Sequence, residues 1–140
     1  MTPTASTMDP QIARALENGG IIDITTTGRR SGRPHRIEIA FHNSNGKVYI
    51  SGMPGRRDWY ANLLANPEFV FHLKRQVKAD LPARARPIQE ESERRKLLTE
   101  ITRSWGRERQ LNRFVKSSPL VEVTFLRVDP RVQDPVTRDL

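Results

Sequence analysis

Cysteine is absent from the 140-residue sequence. That absence excludes a disulfide scaffold, a thiolate metal site and a cysteine nucleophile, and it suits a reducing compartment, here the cytoplasm. Aromatic residues make up only 6% of the chain and the whole hydrophobic set 36%, with a mean hydropathy of −0.64. So thin an apolar complement predicts many surface arginines and burial supplied by a second copy, a homodimer. No apolar run approaches the roughly 20 residues of a membrane helix. Met1 to Pro10 is polar and has no apolar stretch of the secretory kind, so no signal peptide is expected. Acidic residues are in short supply: 16 Asp and Glu face 24 Lys and Arg, a net charge of +8.

What is present in excess is arginine, 19 residues against 5 lysines. The guanidinium fork matches phosphate and carboxylate. Nucleic acid, peripheral contact with an acidic membrane surface and a polyanionic small molecule are the partner classes this charge admits. The length suits one domain. Residues 1–8 read as a disordered leader, 9–128 as the domain and 129–140 as a polar tail.

Hydrophobic periodicity lays out the elements. Asp9 to Asn18 reads as a helix with Asp9 as N-cap, Pro10 at the first position and Gly19 at its end. Ile21 to Thr27 is rich in β-branched residues and reads as a strand. In Arg36 to His42, Ile37, Ile39 and Phe41 fall on one face, as a period of two requires. Asn-Gly at 45–46 predicts a hairpin to Lys47–Ser51. Arg57 to Ala65 reads as a helix with Trp59 and Leu63 inward, stopped by Asn66-Pro67. Phe69 to Lys74 alternates, and Val77 to Ile88 is a polar strand in which Pro82 marks a bend, edge or bulge. Leu97, Leu98 and Ile101 place a helix over Glu90–Ser104, with Leu111–Val115 as its continuation. Leu120 to Val128 is a last strand. About six strands with flanking helices predict a mainly β, α+β fold, an antiparallel barrel.

Two segments could carry chemistry. Thr25 to Gly32 ends a strand in a glycine turn bearing Arg29, Arg30 and Ser31, either an anion cradle or an ordinary basic hairpin. Gly52 to Trp59 leads through glycines, Arg56 and Arg57 into a helix, either an anion site or a plain connection in which Asp58 caps the helix and Trp59 is core. His35, His42 and His72 have no metal-ligand spacing, so no metal site is expected. A Ser-His-Asp triad stays open, without the nucleophile-elbow motif. Arg103, Arg107, Arg109 and Arg113 could line one helix face. With no recognisable nucleic-acid motif, nucleic acid is not expected as a partner.

Together, Thr25–Pro34 and Trp59–Pro67, with the hairpin between them, resemble the deazaflavin (F420)-dependent nitroreductase family of the flavin/deazaflavin oxidoreductase superfamily. The likeness spans about Ile21 to Pro87. It implies a split β-barrel and a pocket for coenzyme F420, a deazaflavin carrying a phosphodiester and an oligoglutamate tail. By that resemblance Arg29, Arg30 and Ser31 hold the anionic tail. Ser51, Gly52 and the following loop approach the phosphate and ring, and Trp59 and Asn62 fix the helix beneath. His35 and Arg36 stand where an arginine is common. Arg56 and Arg57 replace the lysine of a Lys-Gly-Gly loop that Met53-Pro54 interrupts. Near the implied substrate pocket Ala40 stands where an aromatic is frequent on the second strand, and Trp105 alone remains of a late Tyr-rich segment. The implied reaction is hydride transfer to a small hydrophobic acceptor: a quinone, a nitroaromatic or an activated alkene. Related subgroups bind FMN, tetrapyrroles or lipids, so a non-catalytic barrel with FMN or another such ligand is the alternative.

Overall fold

The computed structural model describes residues 9–126. The expected leader and tail, and the last two positions of the expected final strand, lie outside them. The chain runs α1 (Pro10–Asn18), β1 (Gly20–Thr27), β2 (Pro34–Ser44), β3 (Lys47–Ser51), α2 (Asp58–Ala65), β4 (Glu68–Lys74), β5 (Lys78–Pro87), α3 (Glu91–Ser104), a 3-10 turn (Glu108–Gln110), α4 (Leu111–Ser117) and β6 (Leu120–Phe125). The six strands close into an antiparallel barrel in the order β1-β2-β3-β6-β5-β4.

Alternation decides what fills the barrel. Ile22, Ile24 and Thr26 of β1 point inward, and Ile39, Ile37 and His35 oppose them in the β2 register. Phe71 stands between Phe41 and Phe125 in edge-to-face contacts with centroids 5.2 and 5.1 Å apart. The Asn45-Gly46 hairpin forms as expected, both residues having positive φ. Pro82 lies opposite Val70 of β4, one residue before β5 begins its register with β6 at Ala83, and its carbonyl accepts from Leu126 N at 2.9 Å, so its missing N–H falls at the end of that ladder.

A second core lies outside the barrel wall, where Tyr49 and Leu120 meet Leu97, Leu98, Ile101 and Phe114 of α3 and α4. Glu90 caps α3, its carboxylate accepting from the amides of Ser92 and Glu93 at 3.0 and 2.8 Å. The helix does not run on to Val115 as expected. It stops at Ser104, and Gly106, with φ +69°, turns the chain into the 3-10 turn and a separate α4. Arg103 and Arg113 therefore belong to different helices, and the expected single arginine face is not formed.

Closure pairs most of the strand edges. One stretch stays open. β3 pairs with β2 only over Phe41–Ser44, so Pro34–Ala40 has β1 on one side and, among the described residues, no strand on the other. No helix among the described residues is long and apolar enough to cross a membrane.

Candidate functional site

The turn from β1 to β2 is built around Gly28. Its amide donates to the Arg33 carbonyl at 2.8 Å, and its carbonyl accepts from Gly32 N at 3.0 Å. A Cβ at position 28 would lie 2.5 Å from Ser31 Oγ and 2.7 Å from His35 Nε2. The glycine thus lets Ser31 and His35 fold over the turn. Ser31 Oγ accepts from Arg33 N at 3.1 Å.

The second motif supplies the other wall. Asn62, buried on α2, accepts at Oδ1 from the Arg29 amide (3.1 Å) and from Arg29 Nη1 (2.9 Å), while its Nδ2 donates to Thr26 Oγ1 at 3.2 Å. One amide side chain therefore locks the turn onto the helix. Asp58 adds an ion pair to Arg29 at 3.3 Å. Asp58 is the first residue of α2, whose N-cap position is Arg57, so it is not the expected cap. Trp59 is core, as expected. The result is a cavity of about 430 Å³ walled by Arg29, Arg30, Ser31, His35, Trp59 and Asn62. Arg30 is exposed and makes no ion pair or side-chain hydrogen bond among the described residues.

Other expected site residues go elsewhere. Arg36 lies on the outer face of β2, where its Nε donates to Asp23 at 2.9 Å. There Arg36 and Lys74 hold the Asp23 carboxyl below the usual carboxylate range, the Lys74 hydrogen bond being the larger cause. The physical reason is alternation: His35 faces the cavity, so its neighbour cannot. Ser51 is buried and its hydroxyl donates to the Pro119 carbonyl at 2.7 Å, fastening β3 to the start of β6. Gly52 packs between Pro119 and Trp59. Arg57 turns back on its own loop, donating to the carbonyls of Met53 and Arg56 at 3.3 and 3.4 Å. Arg56 lines a different cavity.

Ala40 and Trp105 do meet, in a separate cavity of about 360 Å³ between β2, β3 and the end of α3. His42, which no motif marks, joins them there. Its imidazole lies edge-on to Trp105 at 5.0 Å, its Nε2 is buried without a hydrogen-bond partner, and burial pulls its pKa down to about 4. The two-residue spacing from Ala40 was the available signal, since it puts both on one face of β2. His72 is not near His42. It bridges β1 and β5, with Nε2 2.7 Å from Thr25 Oγ1 and Nδ1 2.7 Å from Asp80 Oδ1.

β2 borders both cavities. His35 and Ile37 wall the first from one face of the strand, and Ala40 and His42 wall the second from the other.

The family model of the F420H(2)-dependent quinone reductases matches residues 2–121. The chain belongs to that family. Among solved structures, the F420-H2 dependent reductase FDR-A is 26% identical at a TM-score of 0.53, covering 75% of this chain and 94% of that one. A conserved hypothetical protein from Mycobacterium tuberculosis has a TM-score of 0.69 at 13% identity, covering 86% and 82%. HutZ, a heme storage protein from Vibrio cholerae, has a TM-score of 0.64 at 13% identity, covering 86% and 91%. The last two likenesses concern the fold alone. Within this quinone reductase family fold, the donor set at the turn suits a bound anion: an uncommitted guanidinium, a serine hydroxyl and an imidazole converge on one cavity.

Proposed function

We propose that the protein is an F420H2-dependent oxidoreductase that passes a hydride to a quinone. The observation that carries this reading is the cavity at the β1–β2 turn, where Arg30 stands uncommitted beside Ser31 and His35 while Asn62 holds the turn rigid. Arg30 and Ser31 hold the phosphodiester and the first tail carboxylates of the coenzyme, and His35 adds a ring nitrogen. Arg29 acts chiefly as a strut, because Asn62 and Asp58 engage its guanidinium. When bound, the reduced deazaflavin supplies the hydride.

The chain's own task is orientation and exclusion of water. Ile37 and Trp59 give the turn cavity an apolar wall. The acceptor occupies the Ala40–Trp105 cavity, where Trp105 offers an aromatic face and His42 a neutral imidazole. β2 contributes to both cavities, through His35 and Ile37 at the coenzyme end and through Ala40 and His42 at the aromatic end. No acid–base constellation is needed for a reaction in which the coenzyme performs the hard step.

Titration with coenzyme F420 tests the reading. Wild-type protein binds with an affinity that falls as salt rises, and Arg30→Ala binds about tenfold more weakly. Addition of menadione to protein and reduced coenzyme then yields enzyme-dependent oxidation. Absence of coenzyme binding, or an affinity indifferent to both salt and the substitution, sinks the proposal. That outcome would return the chain to the non-catalytic reading, a barrel holding FMN, a tetrapyrrole or a lipid.

A further inference from the structure

Arg56 stands over a cavity of about 500 Å³ where the Gly52–Arg57 loop, the β5–α3 junction and the α4–β6 junction come together. The Gly55 amide donates to the Ser117 carbonyl at 3.1 Å and so brings Arg56 toward Lys116. The wall holds Arg56, Tyr60, Gln89, Arg94, Lys116 and Ser118, and no Asp or Glu among the described residues lines it. None of the three cations makes an ion pair among the described residues. At the turn cavity, by contrast, Asp58 offsets Arg29.

Two buried groups point to a ligand. Arg94 is only 8% exposed. Its Nε donates to Val115 O at 2.8 Å, Nη1 to Ile88 O at 2.8 Å, and Nη2 to Phe114 O and Ser118 O at 3.1 and 2.6 Å. Three of those carbonyls lie at the end of α4 and the Ile88 carbonyl at the β5–α3 junction; all are neutral dipoles, and among the described residues no carboxylate pairs with the buried charge. Ser118 is 4% exposed, and its Oγ has no hydrogen-bond partner among the described residues. Buried hydroxyls are rarely left unpaired. A single oxyanion would answer both defects.

We propose that this cavity is an anion site for a phosphate or carboxylate group, gripped by Arg56 and Lys116, with the buried Arg94 and Ser118 beside them in its wall. Tyr60 and Gln89 offer further donors. The same chemistry has two sources: a free small anion, or a carboxylate of the glutamate tail of a coenzyme held at the β1–β2 turn. Only the second source rests on the proposed function.

The test is a titration of the full chain, without coenzyme, with inorganic phosphate at constant ionic strength, followed through backbone amide NMR signals. The amides of Gly55, Gln89, Ser117 and Ser118 are expected to shift saturably. The double variant Arg56→Ala/Lys116→Ala weakens that binding at least about tenfold, and Arg30→Ala leaves it unchanged. Ser118→Ala weakens it about threefold with no loss of fold, because that hydroxyl has no partner to lose. Shifts that never saturate, or that survive the double variant, mean an adventitious ion only and overturn the site. Coenzyme F420 and a tail-less deazaflavin distinguish the sources. If only the tailed coenzyme displaces phosphate from Ser118, the tail is the occupant; if phosphate still binds beside the coenzyme, a separate anion is. A protein that binds phosphate here but never binds coenzyme retains this site and loses the functional reading.

Discussion

Two loops of this protein look alike as text. Gly28–Arg33 and Gly52–Arg57 each join glycines to an Arg-Arg pair at a strand end. In three dimensions they are held differently. The first is fastened from outside, by Asn62 across 33 residues of sequence. The second is fastened partly from within, by Arg57 on its own carbonyls, and partly by Gly55 on Ser117. Yet both divide their arginines in the same way. One of each pair, Arg29 or Arg57, satisfies protein acceptors. The other, Arg30 or Arg56, is left at the mouth of a cavity. An adjacent pair of cations thus becomes one strut and one reader: Arg29 meets acceptors on α2 and Arg57 meets carbonyls of its own loop, while Arg30 and Arg56 line cavities.

The largest test of this contrast is Asn62→Leu. It strands the Arg29 amide and Thr26 hydroxyl without their partner, and should destabilise the fold by roughly 2–4 kcal/mol in a urea titration. Arg57→Ala should cost only about 1 kcal/mol, since its bonds are exposed. Equal losses would erase the distinction between the two fastenings. Next come the glycines. Gly28→Ala forces Ser31 and His35 aside and should cost about 1–2 kcal/mol. Gly52→Ala should stay within about 0.5 kcal/mol, because its added Cβ meets Pro119 and Trp59 at ordinary contact distances of 3.5 and 3.7 Å. Thermal melts of the two variants decide.

A smaller effect separates strut from reader. Arg30→Ala should leave stability within about 0.5 kcal/mol of wild type while lowering coenzyme affinity about tenfold. A destabilised Arg30→Ala would mean the arginine is structural after all. The smallest effect is at Asp58, whose side chain is 91% exposed beside Arg29. Asp58→Asn should change stability by well under about 1 kcal/mol, and it should strengthen anion binding at the turn about twofold by removing a nearby negative charge. Weaker anion binding in that variant would show that Asp58 positions Arg29 for the ligand.

Much of the architecture was legible in the residues. Alternation marked Ile37, Ile39 and Phe41 as an inward row, Asn45-Gly46 marked the hairpin, and Trp59 and Leu63 marked the buried face of α2. The turn cavity was legible in part, because Gly28, Arg29, Arg30 and Ser31 are neighbours in the chain. Other assignments moved. Leu111 has the right spacing to prolong α3, yet Gly106 takes a left-handed conformation and starts a new helix. Arg36 was placed with its neighbour His35 and points the other way. Arg56 was placed with Arg29 and serves another cavity. His42 carried no motif, and only the approach of Trp105 makes its buried nitrogen notable.

The sequence by itself therefore determined the strands, the tight turns, the apolar rows and the arginine-rich character of the loops. Each depends on residues within a few positions of one another, where backbone sterics and side-chain period act. The tertiary structure alone decided which strands close the barrel, where the gap beside Pro34–Ala40 opens, and which arginine of each pair stays uncommitted. Those outcomes depend on partners brought close by folding, such as Asn62 for Arg29 and Ser117 for Gly55, and nothing in the local chemistry of an Arg-Arg pair names its partner in advance.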